Sequence, residues 1–219
     1  MLPILSVLET RVLGVLVEKE RTVPDSYPLT LNALIAACNQ KTSRDPIINA
    51  SETEVQAAVD SLKAKTLVIE SSGGRVQRYT HNIERVLRVP RQASALLAVL
   101  MLRGPQTVGE LRINCERLHA FADISAVEAF LHELAEREAG ALVLELPRQA
   151  GARENRWAHL LSGTPAVQEV AASVAVTEVG GLAVSEIAAL KANFARLEAD
   201  VSELKAVVAR LCSELGVRG

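Results

Sequence analysis

The sequence lacks a charge excess of either sign. Its 219 residues hold 24 Lys and Arg against 26 Asp and Glu, a formal net charge of −2. That balance excludes a histone-like polycation. Bulk disorder needs low hydrophobicity with a large net charge, and 49% of this chain is apolar. A long apolar run is also missing. A transmembrane helix takes roughly 18 or more such residues in a row, whereas the densest stretch, Ala93 to Leu102, has only the length of a core helix. The apolar N-terminus is broken by Glu9, Arg11, Glu18 and Lys19, which argues against a secretory signal. Cysteine is scarce. Three of them, an odd number, fit a reducing cytoplasm better than a disulfide framework. What remains is a chain able to bury real cores, in one large domain or two small ones.

The chain repeats itself. Pro28-Leu29-Thr30-Leu31-Asn32-Ala33-Leu34, running on to Cys38, aligns without a gap on Pro105-Gln106-Thr107-Val108-Gly109-Glu110-Leu111, running on to Cys115. Downstream, Ser51 with Glu54 and Ser125 with Glu128 form Ser-x-x-Glu boxes, in which the hydroxyl and the carboxylate satisfy the open N–H groups of a helix start. Each box leads into a helix with one apolar stripe, Val55, Val59 and Leu62 in the first half and Val127, Leu131 and Leu134 in the second. Short apolar strands follow at Leu67 to Ile69 and Leu142 to Leu144. Second strands close each half at Arg78-Tyr79-Thr80-His81 and Arg156-Trp157-Ala158-His159. The predicted helices run about Leu5 to Glu20, Leu29 to Cys38 and Ser51 to Lys65, then Gln92 to Leu102, Thr107 to Leu118 and Ser125 to Glu138. Three helices followed by a two-stranded ribbon is the winged-helix arrangement.

The expected fold is therefore α+β, mostly α: a winged-helix domain over 1–90, a second over 91–161, a linker over 162–181 and a heptad helix over 182–219. In that helix Ile187, Leu190, Phe194, Leu197, Val201, Leu204, Val208 and Leu211 alternate steps of three and four, and Leu215 continues the series. A parallel pair sets Glu186 against Lys191 and Asp200 against Lys205. A centred antiparallel pair would set Asp200 against itself. A parallel homodimer is expected, the rival being a helix packed on its own core.

Several blocks carry a family resemblance. Tyr27 to Leu34, Ala37-Cys38-Asn39-Gln40-Lys41 and Arg44-Asp45-Pro46 make up the first, including the polar motif Asn32, Asn39, Gln40, Lys41 and Arg44. Arg103 to Thr107, Gly109 to Arg112, and Arg153-Glu154 before Arg156-Trp157 follow. Together they resemble the YceH-like family of bacterial proteins, a family of unknown function. The resemblance covers roughly residues 4 to 161 and leaves the tail outside. It implies paired winged-helix domains and supplies no reaction, ligand or partner.

Catalytic and metal chemistry find little support. Cys115 and His119 stand one helical turn apart, but zinc takes three or four ligands. His132 is the only further candidate, and the matching Cys38 has no His beside it. Both cysteines read as core. No Gly-x-Ser-x-Gly elbow is present, and Ser72-Gly73-Gly74 reads as a wing tip because a strand follows it. His81 and His159 each follow an aromatic by two residues, a paired structural pattern. No enzyme, cofactor or metal is expected.

Nucleic acid is the sharper expectation. Winged helices commonly lay their third helix in the major groove. Here the second such helix carries Glu128, Glu133, Glu136 and Glu138 against Arg137, a poor match to phosphates. The first domain is richer in cations. Lys41 and Arg44 precede its third helix, Gln56 and Lys63 should face outward from it, and Arg75, Arg78, Arg85 and Arg88 lie in and after the wing. These eight residues are the candidate DNA-binding set. Against it stands a pI of about 6.1, well below that of DNA-binding domains. Two readings stay open: DNA contact through the first domain, which is preferred, and a protein–protein adaptor. If the cations pair with neighbouring carboxylates, the adaptor gains.

Overall fold

Helix starts in this chain are written in hydroxyls and carboxylates, and the computed structural model shows them in place. It describes residues 4–71, 76–148 and 152–164. Helix α1 (Val7–Thr22) opens on a capping box in which Glu9 N–H donates to Ser6 Oγ and Ser6 N–H donates to Glu9 Oε2. Thr30 caps α2 (Leu31–Cys38), and the Ser51–Glu54 box caps α3 (Glu52–Ala64). A short helix, α4 (Ile83–Leu87), joins the halves. In the second half α5 (Arg91–Arg103) ends at Gly104, whose φ of 73° suits glycine. A Thr107–Glu110 box opens α6 (Val108–Cys115). The start of α7 (Ile124–Ala135) corrects the sequence expectation: Asp123, not Ser125, is the cap, its Oδ1 accepting from Ala126 N–H at 2.8 Å. The six expected helices otherwise fall within a few residues of expectation, with α1, α2, α3 and α6 starting one or two residues later because the capping residue sits outside the helix proper, while α4 has no counterpart in the expected helices.

Two small antiparallel sheets complete an α+β fold in which about half of the described residues are helical. The first has the order β1-β3-β2, from β1 (Leu29–Thr30), β2 (Val68–Ser71) and β3 (Arg78–His81). Leu29 and Thr30, expected as the start of a helix, instead pair with Tyr79 and Arg78. The second sheet joins β4 (Val143–Leu146) to β5 (Arg156–His159). Gln106 stands where Leu29 stands in the first half, and it bridges Trp157 just as Leu29 pairs Tyr79. The repeat thus extends to backbone pairing.

Both halves draw on one continuous core. Helix α5 is buried from Ala93 to Leu102, which explains its uniformly apolar sequence. It packs on α1, buried from Glu9 to Val17. Gly14 permits the approach: a Cβ there would lie 3.0 Å from Leu102 Cγ and 3.3 Å from Met101 Cβ. Backbone bonds cross between the halves as well, Leu5 N–H to the Leu161 carbonyl at 2.7 Å and Asp45 N–H to the Leu102 carbonyl at 2.8 Å. The heptad residues Ile187, Leu190, Phe194, Leu197, Val201, Leu204, Val208 and Leu211 lie outside the described residues, as does Arg75. Among the described residues no helix is long and apolar enough to cross a membrane.

Candidate nucleic-acid interface

The apolar stripe of α3 turns Val55, Val59 and Leu62 into the core. The opposite face shows Glu52, Thr53, Glu54, Ala57, Asp60 and Ala64 to solvent. The two outward groups expected to read bases are engaged within the protein. Gln56 Nε2 donates to Asp60 Oδ1 at 3.1 Å. Lys63 pairs with Glu70 on β2 and lies 3.6 Å from Asp60. The Glu70 carboxylate holds the Lys63 ammonium above its usual pKa. Helix α3 therefore offers carboxylates, not cations.

Arg44 corrects the sequence expectation most clearly. It is 7% exposed and grips Glu18 with both Nη atoms, at 2.7 and 3.1 Å. It also donates to the Ala37 carbonyl at 3.3 Å, near the end of α2. A guanidinium so enclosed has no face left for a phosphate. Arg78 is exposed, but its Nη1 donates to the Pro28 carbonyl at 2.7 Å. Arg156, its counterpart in the repeat, reaches the Pro105 carbonyl at 3.5 Å. The shared Arg-to-Pro tie braces the connection between the first two helices of each half, α1 to α2 and α5 to α6, against its last strand.

Lys41, Arg85 and Arg88 remain. All three are exposed and make no ion pair among the described residues. Lys41 lies between α2 and α3, and the two arginines lie in and just after α4. Arg88 adopts φ 52°, a left-handed conformation that ends α4. The rest of the polar motif braces the long α2–α3 connection. Asn39 exchanges two hydrogen bonds with the Ala50 backbone, at 2.8 and 2.9 Å. Gln40 Nε2 donates to the Thr42 carbonyl at 3.1 Å. Asn32 is exposed.

The second half is no more basic at the equivalent helix. Glu128 and Glu133 are exposed on α7, with Glu136 at its end, and Arg137 donates to the Leu87 carbonyl of the first half. Two of its three histidines pack on rings: His119 lies edge-on to Phe121 at 4.7 Å, and His132 to Trp157 at 5.3 Å. Burial pushes the thiols of Cys38 and Cys115 up to about 12. Among the described residues no group of three or more His, Cys, Asp or Glu could hold a metal ion.

Sequence reasoning missed Arg11. This residue is 1% exposed inside α1, donating to the Cys38 carbonyl at 3.2 Å and to the Pro46 carbonyl at 2.5 Å. The signal was present, a lone arginine between Thr10 and the apolar Val12-Leu13 of a core helix.

Residues 5–152 match the model of a family described as a protein of unknown function, DUF480. A UPF0502 protein of Dechloromonas aromatica (strain RCB) is 61% identical over 206 residues, 94% of this chain and 95% of the relative. UPF0502 proteins of Burkholderia orbicola (strain MC0-3) and Burkholderia multivorans are 56% and 58% identical, each covering 97% of this chain and 90% of the relative. The resemblance read from the motif blocks stands, and it reaches further than they do. An alignment of 206 residues runs well past residue 164, so the tail belongs to the likeness.

Proposed function

The chain belongs to the DUF480 family, whose function is unknown, and we propose that it is a non-enzymatic protein-interaction adaptor. In this reading each half is a winged-helix domain, the two are fused through α1 and α5, and the C-terminal heptad helix forms a parallel homodimer. The protein works in the reducing cytoplasm.

One observation carries the choice of adaptor over DNA reader. The helix that would enter a major groove presents carboxylates in both halves. Its cations and amide are taken: Gln56 by Asp60, Lys63 by Glu70, and Arg137 by the Leu87 carbonyl. DNA affinity rests on neutralising phosphates with free cations, and like charge facing the duplex opposes it. Apolar side chains are also left in solvent. Ile113 is 72% exposed, and Ile69, Ile124 and Leu144 also face solvent in substantial part.

The test is fluorescence anisotropy of the full chain with double-stranded genomic fragments across a salt series. The adaptor reading expects no salt-steep binding. Tight binding that falls steeply with salt, and that is lost in the Arg75→Ala, Arg85→Ala, Arg88→Ala triple, would establish the DNA reading instead. A partner recovered by cross-linking should be lost from a Glu128→Lys, Glu133→Lys variant, because both carboxylates face outward.

A further inference from the structure

Glu70 on β2 and Glu145 on β4 are counterparts in the repeat: Glu70 pairs in register with Tyr79, and Glu145 with Trp157. Their surroundings differ. Glu70 is partly buried and ion-paired by Lys63, which also lies 3.6 Å from Asp60. A lysine of the chain itself thus sits between two carboxylates. The buried stripes fix the equivalence of the helices, Val55, Val59 and Leu62 on α3 matching Val127, Leu131 and Leu134 on α7. Lys63 follows Leu62, whereas Ala135 follows Leu134. Gln56 follows Val55, whereas Glu128 follows Val127. Asp60 has its counterpart in His132, whose ring stacks edge-on to Trp157. The second half has lost the lysine and gained a carboxylate where the first half has an amide.

Glu145 is consequently exposed, with Asn155 Nδ2 donating to it at 3.0 Å. It lines a groove of about 640 Å3, within the size range of ligand pockets. Val108 and Gly109 at the start of α6, Ile124 and Glu128 at the start of α7, and Trp157 on β5 share that groove. Ile124 is 49% exposed. A Cβ at Gly109 would meet nothing within 4 Å, so this wall stands open. Arg148, Arg153 and Glu154 reach the groove from the wing loop. None of these five charged side chains makes an ion pair among the described residues. The groove therefore joins carboxylates that have no cation of their own to apolar surface that has no cover.

We propose that this groove docks a protein partner through a single lysine flanked by aliphatic residues. The partner's ammonium meets Glu128 and Glu145, as Lys63 meets Asp60 and Glu70 within the first half. The flanking aliphatic side chains lie on Ile124 and Trp157. Arg148 and Arg153 repel a tract of consecutive cations, so the groove selects an isolated lysine. The proposal rests on the adaptor reading and names the chemistry of the partner.

NMR titration of the isotope-labelled full chain with the capped peptide acetyl-Ala-Leu-Lys-Leu-Ala-amide tests it, beside the same peptide with norleucine for lysine. The lysine peptide is expected to shift the backbone amides of Gly109 and Glu145, and the norleucine peptide to bind at least about tenfold more weakly. Glu145→Gln should weaken the lysine peptide by about tenfold while the melting temperature holds, because this carboxylate is exposed. Ala135→Lys should abolish the shifts by supplying within the chain the lysine that the second half lacks. No shift at Gly109 or Glu145 with millimolar lysine peptide overturns the proposal. So does equal binding of the norleucine peptide, or binding that both variants leave unchanged. Such a failure strikes the groove alone, whereas salt-steep DNA binding strikes the adaptor reading itself.

Discussion

Arg44 and Glu18 form a two-pronged ion pair, Nη2 to Oε2 at 2.7 Å and Nη1 to Oε1 at 3.1 Å. The Arg44 side chain is 0% exposed and that of Glu18 14%. Burial alone would raise the Glu18 pKa, but hydrogen bonds and charge from Arg44 outweigh it and hold the carboxyl below its usual range. Removing the guanidinium leaves the Glu18 carboxylate with only Lys19, 3.1 Å away, as a charged partner among the described residues, and frees the Ala37 carbonyl. Arg44→Ala should cost about 3 kcal/mol in urea unfolding. Arg44→Lys should recover little of it, since one ammonium does not reproduce the planar fork. An unchanged urea midpoint in Arg44→Ala would return this residue to the candidate DNA contacts.

A second prediction concerns the seam between the halves. Gly14 faces Leu102 and Met101 so closely that a Cβ would sit 3.0 Å from Leu102 Cγ. Leu102 is 3% exposed and Met101 4%, so both must shift within the packed seam to make room. Gly14→Ala adds helix propensity but forces α1 from α5. Overpacking outweighs the propensity gain, and the variant should lose about 1–3 kcal/mol. A raised melting temperature would show that the helix pair yields easily.

Acid should destabilise the fold in two successive windows. Burial pushes the His159 imidazole down to about 4 from 6.5. The unfolded chain therefore takes up this proton first as pH falls through 6.5, and stability declines until the folded state also protonates near 4. The loss amounts to about 3 kcal/mol. Glu9 acts lower. Burial raises its pKa, but hydrogen bonds from Lys65, the Ser6 N–H and Ser61, with the Lys65 charge, bring it down to about 2. Its contribution is complete above 4.5 and disappears as pH falls toward 2. Urea midpoints measured against pH should fall through both windows. His159→Gln should flatten the upper one, and Glu9→Gln the lower. A profile level between pH 6.5 and 4 would contradict the burial of His159.

Much of the secondary structure was legible because it is written locally. Ser6, Thr30, Ser51 and Thr107 all cap helices, and each is a hydroxyl one residue before an apolar-patterned segment. Asp123 shows how such a signal misleads. Two side chains within three positions, Asp123 and Ser125, could both cap, and only the loop before α7 decides between them. Leu29-Thr30 failed for a different reason. Their helical appearance is local, but their pairing partner, Tyr79, is some fifty residues away. The site residues were harder still. Arg44 and Lys41 look alike in a polar loop, and what separates them is Glu18, on a helix far upstream. Arg11 and Pro46 come together across thirty-five positions, through the donation from the Arg11 guanidinium to the Pro46 carbonyl. Charge in a sequence shows that a cation is present, and burial decides whether anything outside the protein can touch it.

The heptad helix makes a prediction about mass. If Ile187 through Leu211 form a parallel pair, truncation after Gly181 removes the whole seam and leaves both halves intact. Light scattering should then report a monomer where the full chain gives a dimer. A dimer that persists places the interface on the two halves themselves and transfers the exposed Ile113 and Ile124 to it.

The cysteines offer the sharpest chemical test of the repeat. Cys38 and Cys115 occupy equivalent ends of α2 and α6, and both are free and fully buried. Burial raises each thiol to about 12, even though Arg11 and Arg44 pull that of Cys38 the other way. A thiolate is the species that attacks a disulfide reagent or binds zinc, so neither residue should do either in the folded protein. Cys212 lies outside the described residues, and a Cys212→Ser background removes its signal. In that background Ellman's reagent should label no thiol at mildly alkaline pH and both in concentrated guanidinium. Zinc should leave the melting temperature where it was. Fast labelling of one site alone would mean that the two halves, alike in backbone, differ in how tightly they close. The place to look would be the end of α6, where the His119 N–H donates to the Cys115 carbonyl at 2.8 Å, whereas the Cys38 carbonyl accepts from the buried Arg11 guanidinium.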